Sequence, residues 1–256
     1  MDILSKSSAT RRELLGSIVL GAIGAPLAAR SRAALRAVAF DAFVLFDPWI
    51  VVEHAKAIVG ERAKELVSTA SARIFAYSWF YTSAGRYAGF ETLARDAFGY
   101  AAEFHRLDAK PSDLDALVAA YSSLPLWTDV AESIERLRER NIRLSILSNL
   151  PNGALVSNLR SGGIDRHFEL VLSTDQVRRF KPSPEAYALA VKALRLGPDQ
   201  IGFAASAGWD ASGATWFGYP TVWVNRTKSA AEHAHATPAI VSSNMEGVLR
   251  LVAPAS

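Results

Sequence analysis

Short apolar runs alternate along the chain with amphipathic segments whose apolar residues lie three and four positions apart. The first run, residues 38–40, ends abruptly on Asp41, which is typical of a strand buried in a parallel sheet. The later runs that we predict to be strands cover residues 142–147, 168–173, 201–205 and 220–224. Strand–helix alternation of this kind predicts an α/β fold with a doubly wound parallel sheet.

The segment 48–126 interrupts this alternation because it contains no candidate strand. Its apolar residues recur at helical spacing, so it reads as a set of helices inserted after the first strand. One of these helices, residues 73–81, is unusually aromatic. Packing inside the insertion explains this, and so does a pocket wall in which Phe75 faces Asp41. We predict a helical cap subdomain at 48–126 and a core formed by residues 35–47 and 127–256.

The first 34 residues differ in composition from the rest. Arg11 and Arg12 precede a moderately apolar run rich in glycine and alanine, and further basic residues follow that run. This order resembles a twin-arginine export signal, whereas the glycines and Pro26 suit a membrane-spanning helix poorly. An uncleaved, anchoring N-terminus is the alternative. We predict a signal peptide at 1–34, recognition by the twin-arginine export machinery, and a periplasmic or otherwise exported protein.

Composition and charge exclude several classes of site. The 256 residues are 50% hydrophobic and include no cysteine, which excludes disulfides, thiolate metal sites and a cysteine nucleophile. Residues 1–34 carry five basic and two acidic side chains, so they account for the whole net charge of +3. Because the remaining chain is neutral overall, we expect no nucleic-acid partner.

Four polar residues stand where predicted strands end or helices begin, namely Asp41, Ser148, Lys181 and Asp210. The carboxyl ends of parallel strands share one edge of the sheet, so these side chains can meet there. A nucleophilic Asp41 needs charge stabilisation, which Lys181 supplies, and Asp210 can keep Lys181 charged and orient a water. A hydroxyl beside helix N-terminal amides, as at Ser148, suits an anionic substrate group. Each residue alone is explained as a cap or a solvated charge, but together they indicate an active site.

The most distinctive motifs are Leu147-Ser148-Asn149, Phe180-Lys181-Pro182 with Tyr187, and Trp209-Asp210-Ala211-Ser212-Gly213-Ala214. With these motifs, the chain from about residue 38 to residue 252 resembles the haloacid dehalogenase superfamily. Within that superfamily it is most similar to the type II (S)-2-haloacid dehalogenases. The resemblance implies a Rossmann-like core with a cap, no cofactor, and a homodimer, since relatives of this type often dimerise.

By that resemblance, Asp41 displaces halide from C2 of a short 2-haloacid with inversion and forms an aspartyl ester. Water then hydrolyses the ester to the 2-hydroxy acid without a metal ion, and Lys181 and Asp210 serve this ester chemistry. The residues that are expected to bind the small carboxylate substrate or its halide are Ser148, Asn149, Phe43, Tyr187, Trp209 and Phe75.

The chain departs from the family pattern near the predicted nucleophile. Val44 replaces a Gly-Thr pair, and Ser71 stands where the family has a cap-helix arginine. Ala205 and Ala207 replace a serine and an asparagine. Losing a charged partner commonly costs a few kcal/mol of transition-state stabilisation, or roughly a hundredfold in rate. We therefore expect a dehalogenase of reduced activity.

Two other functions are compatible with these motifs. The first is a non-catalytic exported protein that keeps the fold in order to bind a small carboxylate. The second is a phosphatase, which is the weaker interpretation because Phe43 stands where such enzymes carry a second aspartate.

Overall fold

The computed structural model describes residues 34–253. The strands of the described part are β1 (Ala37–Phe40), β2 (Arg143–Ser148), β3 (Leu170–Ser173), β4 (Ile201–Ala205), β5 (Thr221–Val224) and β6 (Ile240–Ser242). They form one parallel sheet in the order β3-β2-β1-β4-β5-β6. The predicted doubly wound α/β fold is therefore confirmed.

Helices cover both faces of this sheet and fill the segment between β1 and β2. The α-helices of the described part are α1 (Ala42–Leu45), α2 (Ile50–Val59), α3 (Ala63–Ser83), α4 (Phe90–His105), α5 (Pro111–Ala119), α6 (Val130–Glu139), α7 (Asn152–Ser161), α8 (Pro184–Leu194), α9 (Gly208–Phe217) and α10 (Glu246–Leu251). Helices α2 to α5 follow the first strand, as the predicted insertion requires. The domain boundaries at residues 48 and 126 stay a prediction.

The central strand β1 separates two layers of hydrophobic core. Val38 and Phe40 point into one layer, while Ala37 and Ala39 point into the other, and all four are fully buried. Side chains alternate between the faces of a strand, so a strand covered on both faces is continuously apolar. This burial fixes β1 in the middle of the sheet and brings the next residue, Asp41, to its carboxyl edge.

The strand register brings three loops together at that edge. Phe40 pairs with Ile146 of β2 on one side and with Ala204 of β4 on the other. The backbone N–H of Asp41 donates to the Ala204 carbonyl oxygen at 2.8 Å, which extends the ladder by one residue. The residues that follow β1, β2 and β4 are therefore neighbours.

One strand at the edge of the sheet was not predicted. β6 has three residues, and its Val241 side chain is 55% exposed. A short, half-solvated edge strand lacks the apolar run by which buried strands are recognised. The helix that follows β6, α10, begins at Glu246.

The described residues contain no helix that is both long and apolar enough to cross a membrane. The predicted signal peptide lies outside the described residues except for its last residue. The homodimer stays a prediction because a single chain is described.

Candidate active site

Asp41 caps the short helix α1 and also accepts hydrogen bonds from two distant side chains. Its carboxylate Oδ2 accepts a hydrogen bond from the backbone N–H of Phe43 at 3.1 Å, which is the ordinary contact of a capping aspartate. The same oxygen accepts a second hydrogen bond from the Ser206 hydroxyl at 2.7 Å. Oδ1 accepts one from the Lys181 ammonium at 2.8 Å. Asp41 is 6% exposed, so its charge is held by protein donors more than by water.

Lys181 joins two carboxylates below the surface. Its Nζ lies 2.8 Å from Asp41 Oδ1 and 2.8 Å from Asp210 Oδ2, and the residue is 1% exposed. Burial opposes the charged form, but the two carboxylates outweigh burial and raise the pKa of Lys181 above its usual value. The backbone N–H of Lys181 donates to Asn149 Oδ1 at 2.9 Å, which fixes the lysine loop to the end of β2. Lys181 therefore stays cationic beside the predicted nucleophile.

Asp210 lies behind Lys181 in the first turn of α9. Its Oδ1 accepts a hydrogen bond from the Tyr187 hydroxyl at 2.8 Å, while Oδ2 faces the lysine. Burial raises the pKa of Asp210 to about 6, even though Lys181 acts in the opposite direction. A carboxylate with this pKa is ionised at neutral pH and can accept a proton close to it.

The predicted role of Tyr187 in substrate binding needs correction. Tyr187 is fully buried and is absent from the residues that line the cavity next to Asp41. Its ring packs against Phe203 and Tyr219 in the core layer beneath α8, with ring centroids 5.5 Å and 6.2 Å away. Because α8 turns this side chain towards the sheet, Tyr187 contacts Asp210 and does not line the cavity.

Gly213 allows α9 to come this close to Tyr187. A Cβ at residue 213 would lie 2.5 Å from the Tyr187 hydroxyl oxygen and 2.7 Å from Cβ of Pro182. Both distances are shorter than a normal contact, so a side chain here would push α9 away. The glycine in the Trp209–Ala214 motif therefore keeps Asp210 within reach of Lys181.

An apolar cavity of about 200 Å³ opens above Asp41 and Lys181. Its walls come from both the core and the inserted helices, and Phe75 of α3 contacts Trp209 of α9 with ring centroids 4.5 Å apart. The side chains that line it are those of Asp41, Phe43, Ser71, Ile74, Phe75, Ser78, Phe90, Leu93, Tyr121, Ser148, Asn149, Leu150, Phe180, Lys181, Ser206, Ala207 and Trp209. A small ligand with an apolar body and one anionic group matches this lining.

Ser148 and Asn149 form the polar side of the cavity at the end of β2. The Ser148 oxygen accepts a hydrogen bond from the Leu150 N–H at 3.2 Å, so its own hydrogen can be donated to a ligand. Asn149 Oδ1 accepts from the Lys181 N–H and from the Thr174 hydroxyl, which leaves the side-chain amide hydrogens for a ligand. Both residues thus present donors, the groups that an anion requires.

The cap side of the cavity carries no cation within the described residues. Ser71 lines the wall at the place predicted for the missing arginine. Arg73 turns away, since its guanidinium donates to the Tyr100 hydroxyl at 2.7 Å and stacks on that ring. Arg86 lies in a separate surface cleft beside Arg178. Lys181 is thus the one basic side chain in the lining.

Two residues that contact the nucleophile segment were missed. Ser206 stands between the alanines that replace family residues, and a lone serine in a loop carries no periodic signal. Arg226 pairs with Asp129 at 2.9 Å and donates to the Val44 carbonyl oxygen at 3.1 Å, which braces the altered nucleophile segment. Asp129 and Arg226 are 97 positions apart in the sequence, so their pairing cannot be predicted from local spacing.

No group of three or more His, Cys, Asp or Glu side chains in residues 34–253 is arranged to bind a metal ion. Phe43 lies two residues after Asp41 and places an aromatic ring in the cavity wall. The charge that faces Asp41 comes from Lys181.

Comparison with known proteins assigns the chain to a family. The sequence matches the haloacid dehalogenase-like hydrolases over residues 19–218. The chain belongs to that family. An (S)-2-haloacid dehalogenase of Pseudomonas sp. (strain YL) is 31% identical to it over 218 residues, which are 85% of this chain and 94% of the relative.

Solved haloacid dehalogenase structures match most of this chain. The L-2-haloacid dehalogenase RSc1362 has a TM-score of 0.83 at 33% identity, covering 86% of this chain and 99% of its own. The L-2-haloacid dehalogenase of Xanthobacter autotrophicus with chloropropionic acid covalently bound has a TM-score of 0.80 at 26% identity. That alignment covers 87% of this chain and 100% of the other.

Proposed function

We propose that this haloacid dehalogenase-like hydrolase is of the (S)-2-haloacid dehalogenase type and acts on short 2-haloacids. The observation that carries the proposal is the Asp41 carboxylate, held by Lys181 at 2.8 Å beneath a small apolar cavity. Relatives named as (S)-2-haloacid dehalogenases and a solved relative with covalently bound chloropropionic acid support it.

In the first step, an oxygen of Asp41 bonds to C2 of the substrate from the side opposite the halogen. The carbon–halogen bond breaks, its electron pair leaves with the halide, and C2 is inverted. The apolar walls exclude water, which strengthens the pull of Ser148 and Asn149 on the substrate carboxylate and the halide. The product of this step is an ester between Asp41 and the 2-hydroxy acid.

In the second step, water attacks the ester carbonyl carbon of Asp41. Asp41 Oδ1 and Asp210 Oδ2 each lie 2.8 Å from Lys181 Nζ, so a water beside Nζ can reach both groups. Asp210 takes a proton from that water, the 2-hydroxy acid is released, and the Asp41 carboxylate is regenerated with one oxygen that comes from water. Lys181 holds the charges of this exchange in place.

Halide release from (S)-2-chloropropionate, (R)-2-chloropropionate and chloroacetate tests the proposal with the purified mature protein. We expect turnover of the (S)-enantiomer and chloroacetate, at a reduced rate because Ser71 provides no charge to the halide. A protein that lactate stabilises in a thermal-shift titration, but that releases no halide from any of these acids, would be the carboxylate-binding protein instead.

The rate of ester hydrolysis should fall in acid because Asp210 must be ionised to accept a proton. Its pKa of about 6 is raised first by burial and partly by Asp41, whose charge disappears in the ester. The midpoint for hydrolysis should therefore lie at or below 6, with roughly a tenfold loss per pH unit beneath it. Ester decay after a single turnover, followed between about pH 4 and pH 8, measures this. Decay that accelerates in acid would rule out Asp210 as the base.

Export through the twin-arginine route is a further part of the proposal, and it rests on the sequence of residues 1–34. Replacing Arg11 and Arg12 together with lysine should leave the protein in the cytoplasm, because recognition by this machinery depends on the arginine pair. Immunoblots of cytoplasmic and periplasmic fractions measure the change. Lysines at Arg30 and Arg32 are the matched control, and equal export of both double variants would refute the route.

A further inference from the structure

The two oxygens of the Asp41 carboxylate have unequal surroundings. Oδ2 accepts two hydrogen bonds, from the Phe43 N–H at 3.1 Å and from the Ser206 hydroxyl at 2.7 Å. Oδ1 accepts one, from Lys181 at 2.8 Å. A carboxylate oxygen offers about two lone pairs, so Oδ1 keeps one available for attack while Oδ2 has both engaged. The two oxygens therefore have different roles: Oδ1 attacks the substrate, and Oδ2 stays bound to its two donors.

Ser206 is held in position by its own backbone. It follows the last residue of β4, Ala205, and β4 is the neighbour of β1 in the sheet. Its carbonyl oxygen accepts a hydrogen bond from the indole N–H of Trp223 at 3.2 Å. The loop therefore cannot turn away from Asp41 without breaking that contact, and the hydroxyl is oriented before any substrate binds.

We infer that Ser206 is a catalytic residue of ester hydrolysis, whose hydroxyl stabilises the negative charge that develops on Asp41 Oδ2. This inference rests on the proposed function. Hydrogen-bond donors that already point at the atom where charge develops lower the barrier without reorganising. The 2.7 Å and 3.1 Å contacts on Oδ2 lie within the distances that such donors need.

The bonds and protons of the step balance as follows. Oδ1 is the ester oxygen attached to C2, and the oxygen of water bonds to Cγ of Asp41 while Asp210 takes one of its protons. The carbonyl electron pair moves onto Oδ2, where Ser206 and the Phe43 N–H hold the charge. When that pair returns, the Cγ–Oδ1 bond breaks and Lys181 gives a proton to the departing Oδ1. Asp210 then returns a proton to Lys181, and Asp41 loses its new acidic proton to solvent.

Ser206 matters less for the first step, since attack by Oδ1 removes charge from the carboxylate. Loss of the hydroxyl should therefore slow ester hydrolysis much more than ester formation. Such a separation is specific to a donor on Oδ2, because a general disturbance of the cavity would slow both steps. Ala205 and Ala207 replace a serine and an asparagine of the family. Ser206 lies between them and compensates for part of this loss by supplying a hydroxyl.

Single-turnover mixing of the full protein with (S)-2-chloropropionate tests the inference. Halide and the ester on the Asp41 peptide are followed in time, the ester by mass spectrometry after acid quenching. Ser206→Ala should form ester within about threefold of the native rate and hydrolyse it about ten to a hundred times more slowly. The ester should then accumulate, and Ser206→Thr, which restores a hydroxyl, should hydrolyse it near the native rate.

Ser133→Ala is the matched control, because Ser133 is buried in α6, its hydroxyl donates to the Asp129 carbonyl oxygen, and the residue does not line the cavity. Equal slowing of both steps in Ser206→Ala, or hydrolysis at the native rate, would overturn the inference. So would a folded Ser206→Thr that hydrolyses the ester no faster than Ser206→Ala. A native protein that forms no ester and no halide would instead refute the proposed function.

Discussion

Asp41→Asn should lower halide release from (S)-2-chloropropionate by roughly a thousandfold or more. The amide is a far weaker nucleophile than the carboxylate, so no ester can form at a useful rate. The fold should survive because Lys181 keeps its contact with Asp210 at 2.8 Å. The initial rate of halide release at saturating substrate, measured alongside a thermal unfolding curve, separates lost chemistry from lost structure.

Asp47→Asn provides the control for this change. Asp47 lies in the same segment, and its Oδ1 accepts a hydrogen bond from the Trp49 N–H, which an asparagine oxygen can also accept. We expect near-native turnover from Asp47→Asn. Equal activity of the native protein and Asp41→Asn would mean that another group attacks the substrate.

Ser71→Arg should raise halide release on the order of a hundredfold. A halide that leaves C2 carries a full negative charge into an apolar cavity, where an unmet anion is costly. Ser71 lines this cavity and also a neighbouring pocket of about 410 Å³, so a longer side chain has room. Lys64 lines that neighbouring pocket and would repel a guanidinium there, which favours an orientation towards Asp41.

The ratio kcat/KM for halide release measures this gain. Ser71→Gln adds length and a polar end without charge, and Ser68→Arg adds the same charge in the neighbouring pocket, away from the cavity wall. Both should stay close to the native rate. If Ser71→Arg gains nothing over these controls, the shortened segment at Val44 is the more important defect.

The part of the site that the sequence predicts best is the part that sheet geometry fixes. The sequence predicts that Asp41, Ser148, Lys181 and Asp210 meet, because each stands at a strand end or a helix start on the carboxyl edge of a parallel sheet. In the structure, Lys181 Nζ lies 2.8 Å from a carboxylate oxygen of Asp41 and 2.8 Å from one of Asp210. Ser148 lines the same cavity from the end of β2. Spacing along the chain is sufficient for this level of detail.

Contacts that depend on the rotation of a helix about its axis or on a single side-chain rotamer could not be predicted from the sequence. Tyr187 follows Pro184 by one turn, and only the packing of α8 on the sheet decides whether it faces the cavity or the core. Ser206 reaches Asp41 because its loop is tied to Trp223, a contact across two strands. The edge strand β6 was missed for a related reason. Its three residues form a strand because they pair with β5, and their own sequence has no strand pattern.

The central claim is that Asp41 forms the ester, and labelled water tests it most directly. Excess enzyme is mixed with (S)-2-chloropropionate in water enriched in heavy oxygen, so that each active site turns over at most once. Attack by Asp41 predicts that the heavy oxygen enters the Asp41 carboxylate, while the 2-hydroxy acid carries an ordinary oxygen from the protein. Heavy oxygen in the first molecules of 2-hydroxy acid, with an unlabelled Asp41 peptide, would show that water attacks C2 directly and would contradict the account.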